Sequence, residues 1–134
     1  MSNKLLIQQF FEEVVNKADL GLADQIIAVD LVMHNPRPGQ GKGLLGFKEG
    51  LSALRQAFPN WCSNIEELIE EGDLIAARWS VRGTHRGSFL GLQPTGVTIS
   101  MKEIGMFRIV NGKISEIWAI AEELSLFRQL GIHI

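Results

Sequence analysis

At Pro59 the hydrophobic period of this chain changes, and that change restricts the fold more than any other feature. Before it, apolar residues recur at helical spacing. Leu6, Ile7, Phe10, Phe11, Val14 and Val15 form one broad stripe, with Gln8, Gln9, Glu12 and Glu13 opposite. Asp19 is placed to cap a second short helix carrying Leu22, Ala23, Ile26 and Ile27. The stretch HNPRPGQGKG, His34 to Gly43, is punctuated by prolines and glycines and reads as a loop. A third helix carries Leu44, Phe47, Leu51, Leu54 and Phe58 and stops at Pro59. After Pro59 the period is two. NIEELIEEGDLIAARWSVRGTH predicts two strands joined at Gly72-Asp73, and VTISMKEIGMFRIVNGKISEIWAIA predicts a second hairpin. Its Asn111-Gly112 pair is the strongest short hairpin signal in the chain. Residues from Glu123 to Leu130 form a last helical turn or two, with Gly131 as the C-terminal cap. Helices first, then antiparallel strands, predict an α+β fold, with helices covering one face of a curved sheet.

The chain has 134 residues, with no internal repeat and no linker, so one domain over residues 1–134 is expected. Hydrophobic residues make up 46% and charged ones 21%, a folded rather than a disordered composition. The net charge is -2 and basic residues nowhere form a block, which argues against a nucleic-acid partner. No apolar run approaches the roughly 20 residues of a membrane span. Acids directly follow the first apolar stretch and no small-residue cleavage site is present, so no secretory signal is read. With Cys62 alone, no internal disulfide forms, and a cytoplasmic location is expected. The single, scattered His and Cys residues lack the spacing of a metal site, and "GQGKGLLG" lacks a nucleotide fingerprint. No metal or cofactor is therefore expected.

In EIWAIAEEL, alternation groups Ile114, Glu116, Trp118, Ile120 and Glu122 on one face, and Ser115, Ile117, Ala119 and Ala121 on the other. Two readings of Glu122 stay open on the residues alone: a working carboxylate, or a charge at the start of the last helix. On LIAARWSVR, Ile75, Ala77, Trp79 and Val81 form the default core face, leaving Arg78 and Arg82 on the other. His34 is either a protonation switch near neutral pH or a loop histidine tying down backbone carbonyls. His85, in RGTHRG, is expected at a strand end near a cavity mouth or on the surface.

GLLGFKEGLSALRQAFPN, EEGDLIAARWSVRGTHRGSFLGLQPTG and FRIVNGKISEIWAIAEELSLFRQLG resemble the SnoaL-like polyketide cyclase group of the nuclear-transport-factor-two-like superfamily. The likeness covers nearly the whole chain. It implies a cone-shaped α+β roll with an internal apolar pocket that Trp118 and Glu122 face. In the family pattern the acid/base is an Asp four residues after the Trp, a position held here by Glu122. The resemblance extends to Arg78 and to His34 as further catalytic groups. Trp118, Trp79, Phe58, Trp61, Phe47, Met106, Phe107 and His85 are then the expected pocket residues. The implied function is cofactor-independent acid/base chemistry on a small apolar carbonyl compound: aldol cyclisation, isomerisation or dehydration. The alternative is a non-catalytic ligand-binding or dimerisation module. A homodimer through the exposed sheet face is expected. Ser80 two residues after Arg78, and Ile120 two after Trp118, depart from the epoxide hydrolases of the superfamily. The lack of any Tyr excludes the ketosteroid-isomerase constellation.

Overall fold

The structure is a computed structural model that describes residues 2–133. Helix α1 (Asn3–Gln9) is capped by Ser2, whose Oγ accepts the Leu5 amide at 3.1 Å. It continues as a π-helical segment, Phe10–Val15. The sequence explains this widening. Apolar pairs recur every four residues, and on a 3.6-residue turn a four-residue repeat drifts by about 40° each time. Wider turns cancel the drift, so Leu6, Ile7, Phe10, Phe11, Val14 and Val15 are all buried.

Helix α2 (Leu20–Ile26) is capped by Asp19, which accepts the Leu22 amide at 3.0 Å. At Ile27 the expectation fails. Rather than closing the helix, Ile27 opens strand β1 (Ile27–Met33), which pairs parallel to the last strand. Its β-branched residues Ile27, Val29 and Val32 favour extended backbone. Helix α3 (Gly43–Ala57) follows the expected loop and ends before Pro59. The two expected hairpins are β2 (Cys62–Glu71) with β3 (Leu74–Thr84), and β4 (Thr98–Val110) with β5 (Lys113–Ala121). Asn111 and Gly112 both have positive φ, 52° and 74°, as a type I′ turn requires. The sheet order is β1-β5-β4-β3-β2, so the α+β class stands and the sheet is mixed rather than wholly antiparallel.

Helix α4 (Glu123–Gln129) ends in a Schellman motif. Gly131, at φ 84°, donates to Arg128 O at 3.0 Å and Ile132 donates to Phe127 O at 2.9 Å. Beyond the end of β5 the edge of β4 would lose its partners. Side chains from α4 and the residue before it replace them: Glu122 Oε1 accepts the Lys102 amide at 2.7 Å, and Gln129 brackets Ser100 at 2.9 and 2.8 Å. Among the described residues no helix is long and apolar enough to cross a membrane.

Gly46 shows how tightly the loop before α3 is held. A Cβ on Gly46 would run into the Gly41 carbonyl, whereas one on Gly21 in α2 would meet only Asp19 Oδ1 at 3.6 Å. Both changes to Ala gain up to about 1 kcal/mol of helix propensity. For Gly21→Ala that gain should stand. For Gly46→Ala the clash with backbone should outweigh it, for a net loss of about 1–3 kcal/mol. Urea unfolding midpoints of the two variants test this reversal of sign.

Candidate active site

The curved sheet and the helices enclose a cavity of about 450 Å³. Phe10 and Phe11 of the π segment, Phe47 of α3, Trp61, Trp79 of β3 and Phe107 of β4 form its aromatic wall. Ala119 and Ala121 of β5 leave it room. Loop 34–42 contributes Asn35, Arg37, Pro38 and Gln40, while α4 contributes Glu123, Leu126 and Phe127. Asn35 Oδ1 accepts the Ala119 amide at 3.2 Å and so ties that loop to β5.

One carboxyl group sits in the strand wall. On β4, alternate residues Ile99, Met101, Phe107 and Ile109 are buried in the core, and Glu103 shares their parity. Register places Glu103 between Trp79 and Ala121. Trp79 Nε1 donates to Glu103 Oε2 at 2.6 Å. Gly105, next on the same face, makes that possible, because its missing Cβ would lie 3.1 Å from Trp79 Cη2. Burial pushes the Glu103 carboxyl above the usual carboxylate range, the indole hydrogen bond and Arg37 oppose this, and Glu123 adds to it.

The structure divides the residues expected at the site into three groups. Trp79, Trp61, Phe47 and Phe107 do line the cavity. Phe58 and His85 are fully buried one layer away, against each other, and neither reaches its wall. His85 is therefore neither at a cavity mouth nor on the surface; its Nδ1 accepts the Thr95 amide at 3.1 Å.

The remaining expectations are corrected. Glu122, Trp118, Met106, Arg78 and His34 do not line the main cavity, although Arg78 and Glu122 line a second pocket that shares Trp79, Glu103 and Ala121 with it. The cause on β5 is a bulge at Ser115. Ile109 pairs with Ile114, yet Arg108 pairs with Glu116, so Ser115 is an extra residue and the alternation inverts after it. Ile114 stays inside, but Ile117, Ala119 and Ala121 follow it there, while Glu116, Trp118 and Ile120 face out. Glu122 is exposed, and its Oε1 accepts the Lys102 amide. Met106 pairs with Trp118 on the outer face. A second bulge, at Glu66, lets Arg78 reach two acids, Glu66 at 2.6 Å and Glu67 at 3.0 Å. His34 stacks on Trp118 with ring centroids 4.4 Å apart, and its Nε2 lies 3.0 Å from Glu116. That contact and Arg108 hold the Glu116 carboxyl below the usual range.

Sequence reasoning passed over Glu103, Arg37 and Glu123 as cavity groups. The signal for Glu103 was present: an acid at the parity of Ile99, Met101 and Phe107 in ISMKEIGMF.

An α+β cone whose apolar cavity carries a buried carboxyl defines a small-molecule site. The SnoaL-like polyketide cyclase family model matches residues 5–130, and the chain belongs to that family. Two relatives are each 32% identical over 100 residues, 73% of this chain: the aklanonic acid methyl ester cyclases DnrD of Streptomyces peucetius and DauD of Streptomyces sp. strain C5. These matches take in 66% and 60% of the two relatives' lengths. Among solved structures, IdmH of Streptomyces antibioticus, described as a putative polyketide cyclase, has a TM-score of 0.85 at 28% identity. That match covers 98% of this chain and 100% of that one.

Proposed function

We propose that the chain is a cofactor-independent cyclase-type enzyme that enolises a small, apolar carbonyl compound inside the cavity. The observation that carries this reading is Glu103, an acid in an aromatic-walled pocket with an indole donor on one oxygen. A carboxyl group whose protonated form is favoured by burial can donate a hydrogen bond to a ketone oxygen and stabilise the enol. The indole occupies one of its oxygens, and among the described residues no hydrogen bond claims the other. Aromatic and small aliphatic walls suit a flat, apolar substrate with few polar groups. The family membership, and the cyclase names of its relatives, favour intramolecular aldol closure as the outcome. No part in the chemistry is proposed for Glu122, His34 or Arg78. A second copy of the chain fits the outer sheet face, where Ile104 and Ile120 are 60% and 66% exposed.

The probe for this reading is 2-tetralone, a flat aryl-fused ketone with exchangeable α-protons. It should raise the melting temperature, since a ligand at a hundred times its Kd adds about 2.7 kcal/mol. In D2O the bound ketone should lose α-protons faster than in buffer, followed by proton NMR. Binding without faster exchange would leave only a ligand-binding module.

A further inference from the structure

A group that donates to the ketone oxygen leaves the α-proton unclaimed. We propose that Glu123, at the cavity rim, is the base that takes this proton while Glu103 holds the carbonyl oxygen. This rests on the enolising reading above.

The charged side chains on the cavity wall are Glu103, Glu123 and Arg37. Register brings the two acids close: Glu103 pairs with Ala121, and Glu123 is two residues further on. Ala121, beside Glu103, and Ala119, beside Gly105, leave open wall next to the two acids on which a flat ketone can rest. The two carboxyls differ in surroundings. Glu103 is half-buried in the strand wall and accepts from the indole, so once protonated it has one O–H to give. Glu123 is exposed at the first turn of α4 and can exchange its proton with solvent. Two carboxyls with opposite surroundings divide naturally into donor and base.

The balance closes without any co-reactant. Glu123 removes the α-hydrogen, the C–H pair becomes the enol double bond, and the carbonyl oxygen takes the Glu103 proton. The enol carbon then attacks a second carbonyl carbon to form the ring bond. Glu123 returns its proton to the new alkoxide, and Glu103 recovers its own as the first carbonyl re-forms.

The test compares α-proton exchange of 2-tetralone in the wild type and in Glu123→Gln, Glu122→Gln and Glu103→Gln. Glu123→Gln should lose at least about a hundredfold of the catalysed exchange, the lower range for a general base. Glu122→Gln should keep it, because Gln still accepts the Lys102 amide. Glu103→Gln should keep a residue of it, since the Gln amide can still donate to the ketone. Glu123→Asp should recover part of what Gln loses, which an effect on folding alone would not produce. Full exchange in Glu123→Gln overturns the assignment while leaving the enolising reading intact. A wild type that binds the ketone without exchanging it, or fails to bind it, sinks that reading and the inference with it.

Discussion

Glu103→Gln should lower turnover by about 10²–10⁴-fold, the range for a positioned acid or base, and yet yield a protein more stable at neutral pH. The rate falls because an amide cannot hand a proton to the carbonyl oxygen. The stability rises because the wild type keeps an acid in an enclosed apolar wall. The sign follows from linkage. Burial raises the folded-state value of Glu103, so between the ordinary Glu value and that raised one the folded chain binds more protons than the unfolded chain. Stability due to this group is therefore greatest below the ordinary value and is lost as pH rises through the raised one. Gln does not ionise and escapes that loss, while its side-chain oxygen still accepts from Trp79 Nε1. The stability advantage of the variant should thus be present at neutral pH and fade below about pH 4.5. Urea unfolding at pH 4 and pH 7, beside the rate measurement, reads both halves. A variant equally stable at neutral pH and slower would contradict the burial argument; one equally active would contradict the site.

Phe107→Ala should cost about 3–5 kcal/mol of stability, the upper range for core truncations. Phe107 is 1% exposed and lies where the helices meet the sheet. Its ring centroid is 5.6 Å from Phe10, 5.8 Å from Phe11 and 6.2 Å from Trp79. These neighbours cannot collapse onto the space it leaves, because the strand ladder and the π segment fix them and the far side is already cavity. Against a typical 5–15 kcal/mol for a whole domain, this loss decides whether the chain folds. Phe127, half-buried at the rim, should cost clearly less on the same change. Equal midpoints for the two variants would show that the aromatic wall is not the centre of the core.

The turns and caps of this fold were legible because each rests on chemistry within a few residues. Asn111-Gly112, Asp19 and Gly131 all act where local rules put them. The class, helices on a curved sheet, follows from the change of period and stands. What failed was non-local. Strand β1 is short, and only pairing with β5 distinguishes it from the end of a helix. The bulge at Ser115 is decided by register against β4, and it inverted the face of every residue after it, Trp118 and Glu122 included. Parity on β4 ran unbroken past Glu103, so that acid could have been found by the same reasoning that misplaced Glu122. The rim groups Arg37 and Glu123 were beyond such reasoning, since a loop and a helix start bring them to the cavity.

The central claim is that burial in the cavity wall favours the protonated form of the Glu103 carboxyl. The most direct measurement is the pH titration of the infrared difference spectrum between the wild type and Glu103→Gln. The expected result is a protonated-carboxyl carbonyl band, absent from Glu103→Gln, that persists to higher pH than the band of an exposed carboxyl. A band lost at the pH of an exposed carboxyl, or below it, would contradict the claim.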